Sequence, residues 1–284
     1  SVQKLTDAGF TYEKDGALWF NSEKFGDEKD RVLVRAGGIP TYLVPDIAYH
    51  YDKLTTRGYD LAVDVLGADH HGYVPRLRAA LTALGVDEKR LKVVIMQMVR
   101  LVKNGETYKL SKRSGKAITL STLLDEVPLD AARFIFNSKE PNTHLEFDLD
   151  LAVEQSSSNP VYYVQYAHAR ICSILRNLEA EGIKPERPKA GELDLLTAPE
   201  ERELVRHIAA FTEEIETAAK TLDPSRITRY AYDTSAKFHK FYNACRVKCG
   251  DARLMRARLS LCIAARTVLK NCFDILKIDA PEEM

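Results

Sequence analysis

Four cations fall within eight residues in the string Lys109-Leu110-Ser111-Lys112-Arg113-Ser114-Gly115-Lys116, beside hydroxyls and a glycine. Ammonium groups in such a loop can neutralise the negative charge that spreads over a phosphorus under attack, and a glycine lets the loop close when a nucleotide is present. The four cations are the candidates for that role, with the Ser111 hydroxyl among them. The string is not a P-loop, because the spaced glycines of GxxxxGK[ST] are missing. Gly67 and Asp69 form a second candidate. The mostly apolar stretch Leu61 to Leu66 ends there, and the C-terminal end of a strand is the ligand side of an open α/β sheet. A glycine that permits close approach, followed by a carboxylate, suits a ribose.

These residues need a scaffold, and the hydrophobic pattern supplies it in two styles. Before residue 121, strand-like and helix-like patterns alternate. Ala17 to Asn21, Arg31 to Arg35 and Leu61 to Leu66 read as strands; Pro75 to Leu84 reads as a helix with Leu77, Leu81 and Leu84 on one face and Gly85 as its stop. Leu91 to Val102, with Val93, Val94, Ile95, Met96 and Val99, reads as one buried strand. After Ser121 helical spacing takes over, without convincing strands. Val164, Ala167, Ile171, Ile174, Leu175 and Leu178 form a stripe before Gly182, and Gly182 to Pro199 reads as a connecting loop. Leu254, Leu261, Val268 and Ile275 recur every seven residues, as in a long bundle helix. The expected fold class is α/β followed by an all-α bundle.

The length of 284 residues suffices for about two domains. Its 41 basic and 41 acidic residues cancel to a formal net charge of +0, but the signs are segregated. Arg226 to Lys270 carries 11 Lys or Arg against only Asp233 and Asp251, whereas Ala190 to Pro224 carries nine acids against three bases. A polyanion partner is expected for the basic stretch. No apolar run approaches the roughly 18 residues of a membrane span, and Ser1 to Phe10 lacks a signal-peptide pattern, so a cytoplasmic protein without a membrane partner is expected. Cys172, Cys245, Cys249, Cys262 and Cys272 make an odd count with no CxxC pair, which favours reduced thiols. Cys245 and Cys249 could share a helix face, but with only His239 as a further ligand nearby they point to packing, and no metal site is assigned.

Several strings carry a family resemblance. KLSKR resembles the KMSKR signature of class I aminoacyl-tRNA synthetases, with Leu110 in place of Met. TYLVPDIAYHYDK (Thr41 to Lys53), GADHHGY (Gly67 to Tyr73) and NPVYYVQYAHARICSI (Asn159 to Ile174) resemble the arginyl-tRNA synthetase family in the same order. The final segment, from RYAYDTSAKFHKFYNACRV through DARLMRARL to DAPEEM, is similar to that family's helical anticodon-binding domain. The likeness covers nearly the whole chain. It implies that residues 1–125 are the C-terminal part of a class I nucleotide-binding catalytic domain including the KMSKR-like loop, and that residues 126–284 are a helical stem-contact and anticodon-binding domain.

The resemblance puts Tyr42 and Asp46 where the family grips the arginine side chain. A carboxylate accepts two parallel hydrogen bonds from a guanidinium fork and an aromatic ring packs on its face, which a lysine ammonium cannot imitate. Spacing four brings them together only if Thr41 to His50 is helical, with Pro45 in the first turn. Gly67, Asp69 and His70 are implied to bind ATP or adenylate, with Gln97 and Met98 flanking the adenine; His70 and His71 both rank below Asp69. Lys109 and Lys112 are implied to contact ATP as well as to stabilise the transition state. The implied reaction is attack of the arginine carboxylate on the α-phosphorus of ATP, followed by transfer of the arginyl group to a terminal ribose hydroxyl of tRNA. Its partners are L-arginine, ATP with Mg²⁺, and arginine-accepting tRNA, with no tightly bound cofactor and a monomeric intact enzyme.

In the basic stretch, Tyr230, Tyr232, Phe238, Phe241 and Tyr242 interleave with Arg226, Arg229, Lys237, Lys240 and Arg246. Stacking planes and phosphate partners together suit unstacked bases. Arg229, Tyr230, Lys237, Lys240 and Arg246 are the candidate tRNA-binding residues. No counterpart of the family's HIGH motif is found, so the chain is expected to be a C-terminal portion that binds tRNA but forms no adenylate alone. Two other functions fit parts of the pattern: a noncatalytic tRNA-binding or regulatory module, and another class I synthetase such as the cysteinyl enzyme, which would need zinc-ligating Cys and His around its substrate pocket.

Overall fold

Residues with β-branched and aromatic side chains form short strands in the first hundred positions, and turn chemistry fixes their pairing. The computed structural model describes residues 1–108 and 119–284. After helix α1 (Val2–Asp7), strands β1 (Thr11–Lys14), β2 (Ala17–Phe20) and β3 (Arg31–Val34) form an antiparallel sheet in that order. Asp15 and Gly16, at φ 53° and 71°, make the two-residue turn that joins β1 to β2, the left-handed backbone that matches strand twist.

Helix α2 (Leu43–Tyr51) follows, with Pro45 in its first turn, where a missing N–H costs no helical hydrogen bond. Strand β4 (Ala62–Gly67) then pairs in parallel with β5 (Leu91–Met96), from Ala62 opposite Leu91 to Gly67 opposite Met96. Helix α3 (Val74–Ala83) crosses between them. It ends as Gly85 turns back at φ 79° and the Val86 N–H bonds the Leu81 carbonyl. Leu77 and Leu81 are fully buried with Phe20, Leu33, Ile47 and Leu54, whereas Leu84, just past the helix end, is half-buried.

The apolar run Leu91 to Val102 is not one strand. It breaks at Gln97 and Met98, and β6 (Val99–Lys103) joins a different sheet. That break coincides with the boundary between two compact units, residues 1–98 and 99–284. β6 pairs antiparallel with β7 (Glu106–Thr107) and, after helices α4 (Leu120–Glu126) and α5 (Leu129–Phe136), in parallel with β8 (Leu145–Asp148). Strand β8 corrects the expectation that strands vanish after Ser121. It buries Leu145 and Phe147 and is too short for its alternation to stand out, and its last residue, Asp148, also caps α6 (Leu149–Val153).

The rest is helical: α7 (Pro160–Ala180), α8 (Pro199–Ala209), α9 (Phe211–Thr221), α10 (Ser225–Ala244) and α11 (Ala252–Leu276). The Asn159 side chain caps α7 by accepting from the Val161 N–H, and Asp251 caps α11 by accepting from Arg253 and Leu254. Two charge pairs tie α11 to its neighbours: Arg258 to Glu201 of α8 at 2.7 Å and Arg256 to Glu192 at 2.5 Å. The seven-residue repeat does not lie wholly in the core. Ile275 is 47% exposed, because a straight helix drifts by about 20° per heptad, and the buried face passes instead through Leu261, Ala265, Val268, Cys272 and Leu276. Nor do Cys245 and Cys249 share a helix face, since α10 ends at Ala244. No helix among the described residues is long and apolar enough to cross a membrane.

Candidate active site

The parallel pair β4–β5 sets the site in residues 1–98. Gly67 closes β4 and is followed by a short helical turn, Ala68–Tyr73, that carries Asp69, His70 and His71. A Cβ added at Gly67 would stand 2.7 Å from Asp69 Oδ1, so the glycine is what lets this carboxylate fold back over the strand end. His70 Nε2 lies 3.7 Å from Asp69 Oδ2, and both side chains are exposed. Met96, opposite Gly67, ends β5, so Gln97 and Met98 leave the sheet at the same C-terminal edge. Met98 is 79% exposed, which removes core packing as its role, while Gln97 is half-buried.

Helix α2 presents the other half of the site. Tyr42 is its N-cap residue and the Asp46 N–H bonds the Tyr42 carbonyl at 3.3 Å, so the two lie one turn apart. Tyr42 is 87% exposed, leaving its ring free to pack on a ligand. Asp46 is half-buried, and its Oδ2 accepts from the Tyr73 hydroxyl. That contact joins Tyr42 and Asp46 to the turn that carries Asp69 and His70, although 27 residues separate its ends.

Beneath Asp46 runs a second polar chain. The Asp46 carbonyl meets His50 Nδ1 at 2.8 Å, and His50 Nε2 meets Asp64 Oδ2 of β4 at 2.6 Å. Both ring nitrogens face oxygen acceptors, so both bonds are made together only by the doubly protonated ring. Lys53 reaches the other Asp64 oxygen at 3.3 Å. Burial is the largest influence on the Asp64 carboxyl and pushes its pKa up, but the His50 bond and charge, with Lys53, outweigh it and hold the pKa below the usual value. Tyr73, His50 and Asp64 are residues that local spacing gave no reason to select, although Tyr73 and His50 lie inside two of the family-like strings.

In residues 99–284 the candidate nucleic-acid residues scatter over one helix. Arg229 and Lys240 are exposed on α10, and Lys237 is paired with Glu203 at 2.5 Å. Arg229 lines a cavity of about 380 Å³ with Ser138, Lys139, Thr143 and Tyr232. Arg246, just beyond α10, lines another of about 560 Å³ with Lys248, Tyr242 and Asn177. Tyr230 departs from its expected role. Only 6% exposed, it stacks on His207 at 4.1 Å and donates its hydroxyl to the His207 carbonyl, so it offers no free face to a base. Its apolar neighbours in the bundle took it inward, as they did Phe238 and Phe241. Tyr232 of that segment is 42% exposed, and Tyr242 is half-buried. The Tyr232 ring lies 4.9 Å from Tyr163 of α7, which continues to His239 at 5.4 Å and Tyr166 at 6.1 Å from His239. Lys109, Ser111 and Lys112 lie outside the described residues.

Comparison with known proteins gives the family of the chain. Residues 1–174 match the family described as tRNA synthetases class I (R), catalytic domain, and residues 164–284 match the DALR anticodon binding domain. A class I synthetase catalytic domain followed by a helical anticodon-binding domain is the class of protein that fold and site define. The arginine–tRNA ligase of Caldanaerobacter subterraneus subsp. tengcongensis is 56% identical over 283 residues, covering 100% of this chain and 50% of the relative. A crystal structure of a protein assigned as an arginyl-tRNA synthetase from Campylobacter jejuni aligns with a TM-score of 0.85 at 37% identity, covering 100% of this chain and 61% of that one. The Thermus thermophilus arginyl-tRNA synthetase, at 24% identity, shares the fold with a TM-score of 0.83 over 100% of this chain and 57% of its own. The chain belongs to the arginyl-tRNA synthetase family. It spans about half the length of the curated relatives it matches. The arginine family, rather than the cysteinyl alternative, is what these likenesses favour.

Proposed function

We propose that the protein carrying this chain is an arginine–tRNA ligase, working in the cytoplasm as a monomer. Arginine attacks the α-phosphorus of ATP through its carboxylate and pyrophosphate leaves; a terminal ribose hydroxyl of tRNA then takes the arginyl group from the adenylate, and AMP leaves. The observation that carries this reading is the joining of Asp46, on one helix, to the Asp69 turn at the end of a parallel strand pair. A guanidinium acceptor and a ribose acceptor then stand on one surface.

In this reading Asp46 takes the guanidinium and the exposed Tyr42 ring packs on its face. Gly67, Asp69 and His70 meet the ribose and phosphate side of ATP, with Gln97 and Met98 beside the adenine. Lys109 and Lys112 neutralise the charge of the attacked phosphorus, helped by the Ser111 hydroxyl, so that catalysis is positioning and electrostatics without a covalent intermediate. Mg²⁺ would accompany ATP as part of the substrate and would supply further neutralisation of phosphate charge.

Residues 126–284 hold arginine-accepting tRNA and residues 1–125 contribute the catalytic share. Arg229, Lys237, Lys240 and Arg246 meet phosphates, and the stacking role expected of Tyr230 passes to Tyr232, whose ring is exposed. The test is Lys112→Ala in a ligase that carries this sequence with the family's N-terminal half. Adenylate formation is expected to fall about a hundredfold, as on loss of one transition-state donor, with arginine affinity unchanged. An unaltered rate of adenylate formation rejects the role.

A further inference from the structure

Asp46 is held in place from three directions. Its N–H bonds the Tyr42 carbonyl and its carbonyl accepts from His50, which fixes the backbone. What remains free is the side chain, and an aspartate on the first turn of a helix has several staggered wells open to it. The Tyr73 hydroxyl closes that choice by donating to Oδ2. Each carboxylate oxygen has two lone pairs. Among the described residues Oδ2 therefore keeps one for another donor and Oδ1 keeps both, so the parallel acceptor pair that a guanidinium fork needs survives in a fixed orientation.

Tyr73 is itself well held. Its ring is half-buried, the Arg76 guanidinium lies 5.3 Å from its centre, and the His70 ring meets it edge-on at 6.4 Å. Burial first, and then the bond to Asp46, push the phenol's pKa well up, so the hydroxyl stays a donor across the neutral range. It closes the same turn that carries Asp69 and His70.

We propose that Tyr73 is a positioning residue for amino-acid recognition: its hydroxyl orients the Asp46 carboxylate toward the arginine guanidinium from the turn that bears the nucleotide-side residues. This rests on the reading of Asp46 as the guanidinium acceptor, and the two fail in different ways.

The test is steady-state tRNA charging by a ligase that carries this sequence with the family's N-terminal half, as wild type, Tyr73→Phe, Asp46→Ala and the double variant. Phenylalanine keeps the ring and its packing and removes only the hydroxyl. Tyr73→Phe is expected to raise the KM for arginine about tenfold, the size of one hydrogen bond to a charged group, while the KM for ATP moves by less than about twofold. In the Asp46→Ala background the same change is expected to have no further effect on arginine KM, because no carboxylate remains to be oriented. Should Asp46→Ala fail to accumulate, Asp46→Asn takes its place. An arginine KM that Asp46→Ala raises and Tyr73→Phe does not, or effects that add in the double variant, overturns the positioning role and leaves the Asp46 reading intact. An arginine KM untouched by Asp46→Ala overturns the Asp46 reading and the proposal with it.

Discussion

Two buried carboxylates of residues 99–284, Glu201 and Glu192, are closed by donors of the protein itself, whereas one polar chain in residues 1–98 ends on a carboxylate, Asp46, that is only half-buried. Glu201, 1% exposed, takes the Arg258 guanidinium on one oxygen and the Ala198 N–H on the other. Glu192 takes two Arg256 donors and the Lys189 N–H. These carboxylates are spent on packing one helix against another. In the first unit Lys53, Asp64, His50 and Asp46 form a comparable chain, but among the described residues the Asp46 carboxylate takes only the Tyr73 hydroxyl and has lone pairs to spare. A carboxylate closed by protein donors stabilises the fold; one oriented by protein but left open is able to bind.

The largest expected effect that tests this contrast lies within one helix. Tyr230→Ala should destabilise the helical unit by about 4 kcal/mol, as for a large aromatic removed from a core, whereas Tyr232→Ala should leave stability nearly unchanged and weaken tRNA binding by about 1 to 3 kcal/mol. Denaturation followed by far-ultraviolet circular dichroism, with a tRNA titration, separates them; equal loss of stability would erase the distinction. In the first unit, Asp64→Ala leaves His50 and Lys53 without their partner and should cost about 3 kcal/mol. The single tryptophan, Trp19, lies in that unit, so its fluorescence follows this transition. An unchanged midpoint would show that the polar chain carries no stability.

The pH response should differ in the helical unit by a mechanism with a definite sign. Burial lowers the pKa of His168, His207 and His239, so the unfolded chain takes up protons first. Their stabilisation is present above the ordinary histidine value of 6.5 and is lost as pH falls through it. Glu192 adds a second window. Arg256 holds its pKa at about 2 against an ordinary 4.5, so its contribution is complete above 4.5 and disappears as pH falls toward 2. Melting temperatures between pH 8 and pH 3 should therefore decline in two stages, and Glu192→Gln should flatten only the lower one. The smallest effect is expected for Ile275→Ala, about 0.5 kcal/mol or less, with Val268→Ala clearly larger; comparable losses would restore the seven-residue repeat as the packing face.

Much of this protein was legible locally. Helix α7 announces itself through its apolar stripe and the stop at Gly182, and α11 through an apolar repeat, although that repeat is not wholly its buried face. The strand that ends at Gly67 and the helical placement of Tyr42 and Asp46 are equally local signals. Strand β8 and the break after Met96 were not legible, because a short apolar run reads the same whether its partner is β5's neighbour or β6's. Tyr230 and Tyr232, two positions apart on α10, look alike in sequence; only the bundle decides which one is buried.

The sequence by itself determined the residue types at each chemical position, the helix ends and the family, since caps, spacing and signature strings act over neighbouring residues. The tertiary structure alone decided that Tyr73 meets Asp46 and that His50 reaches Asp64 across 14 residues. The reason is physical: a helix repeats a relation between near neighbours, whereas a site is made where distant segments are packed together, and no local pattern records which donor will face which acceptor.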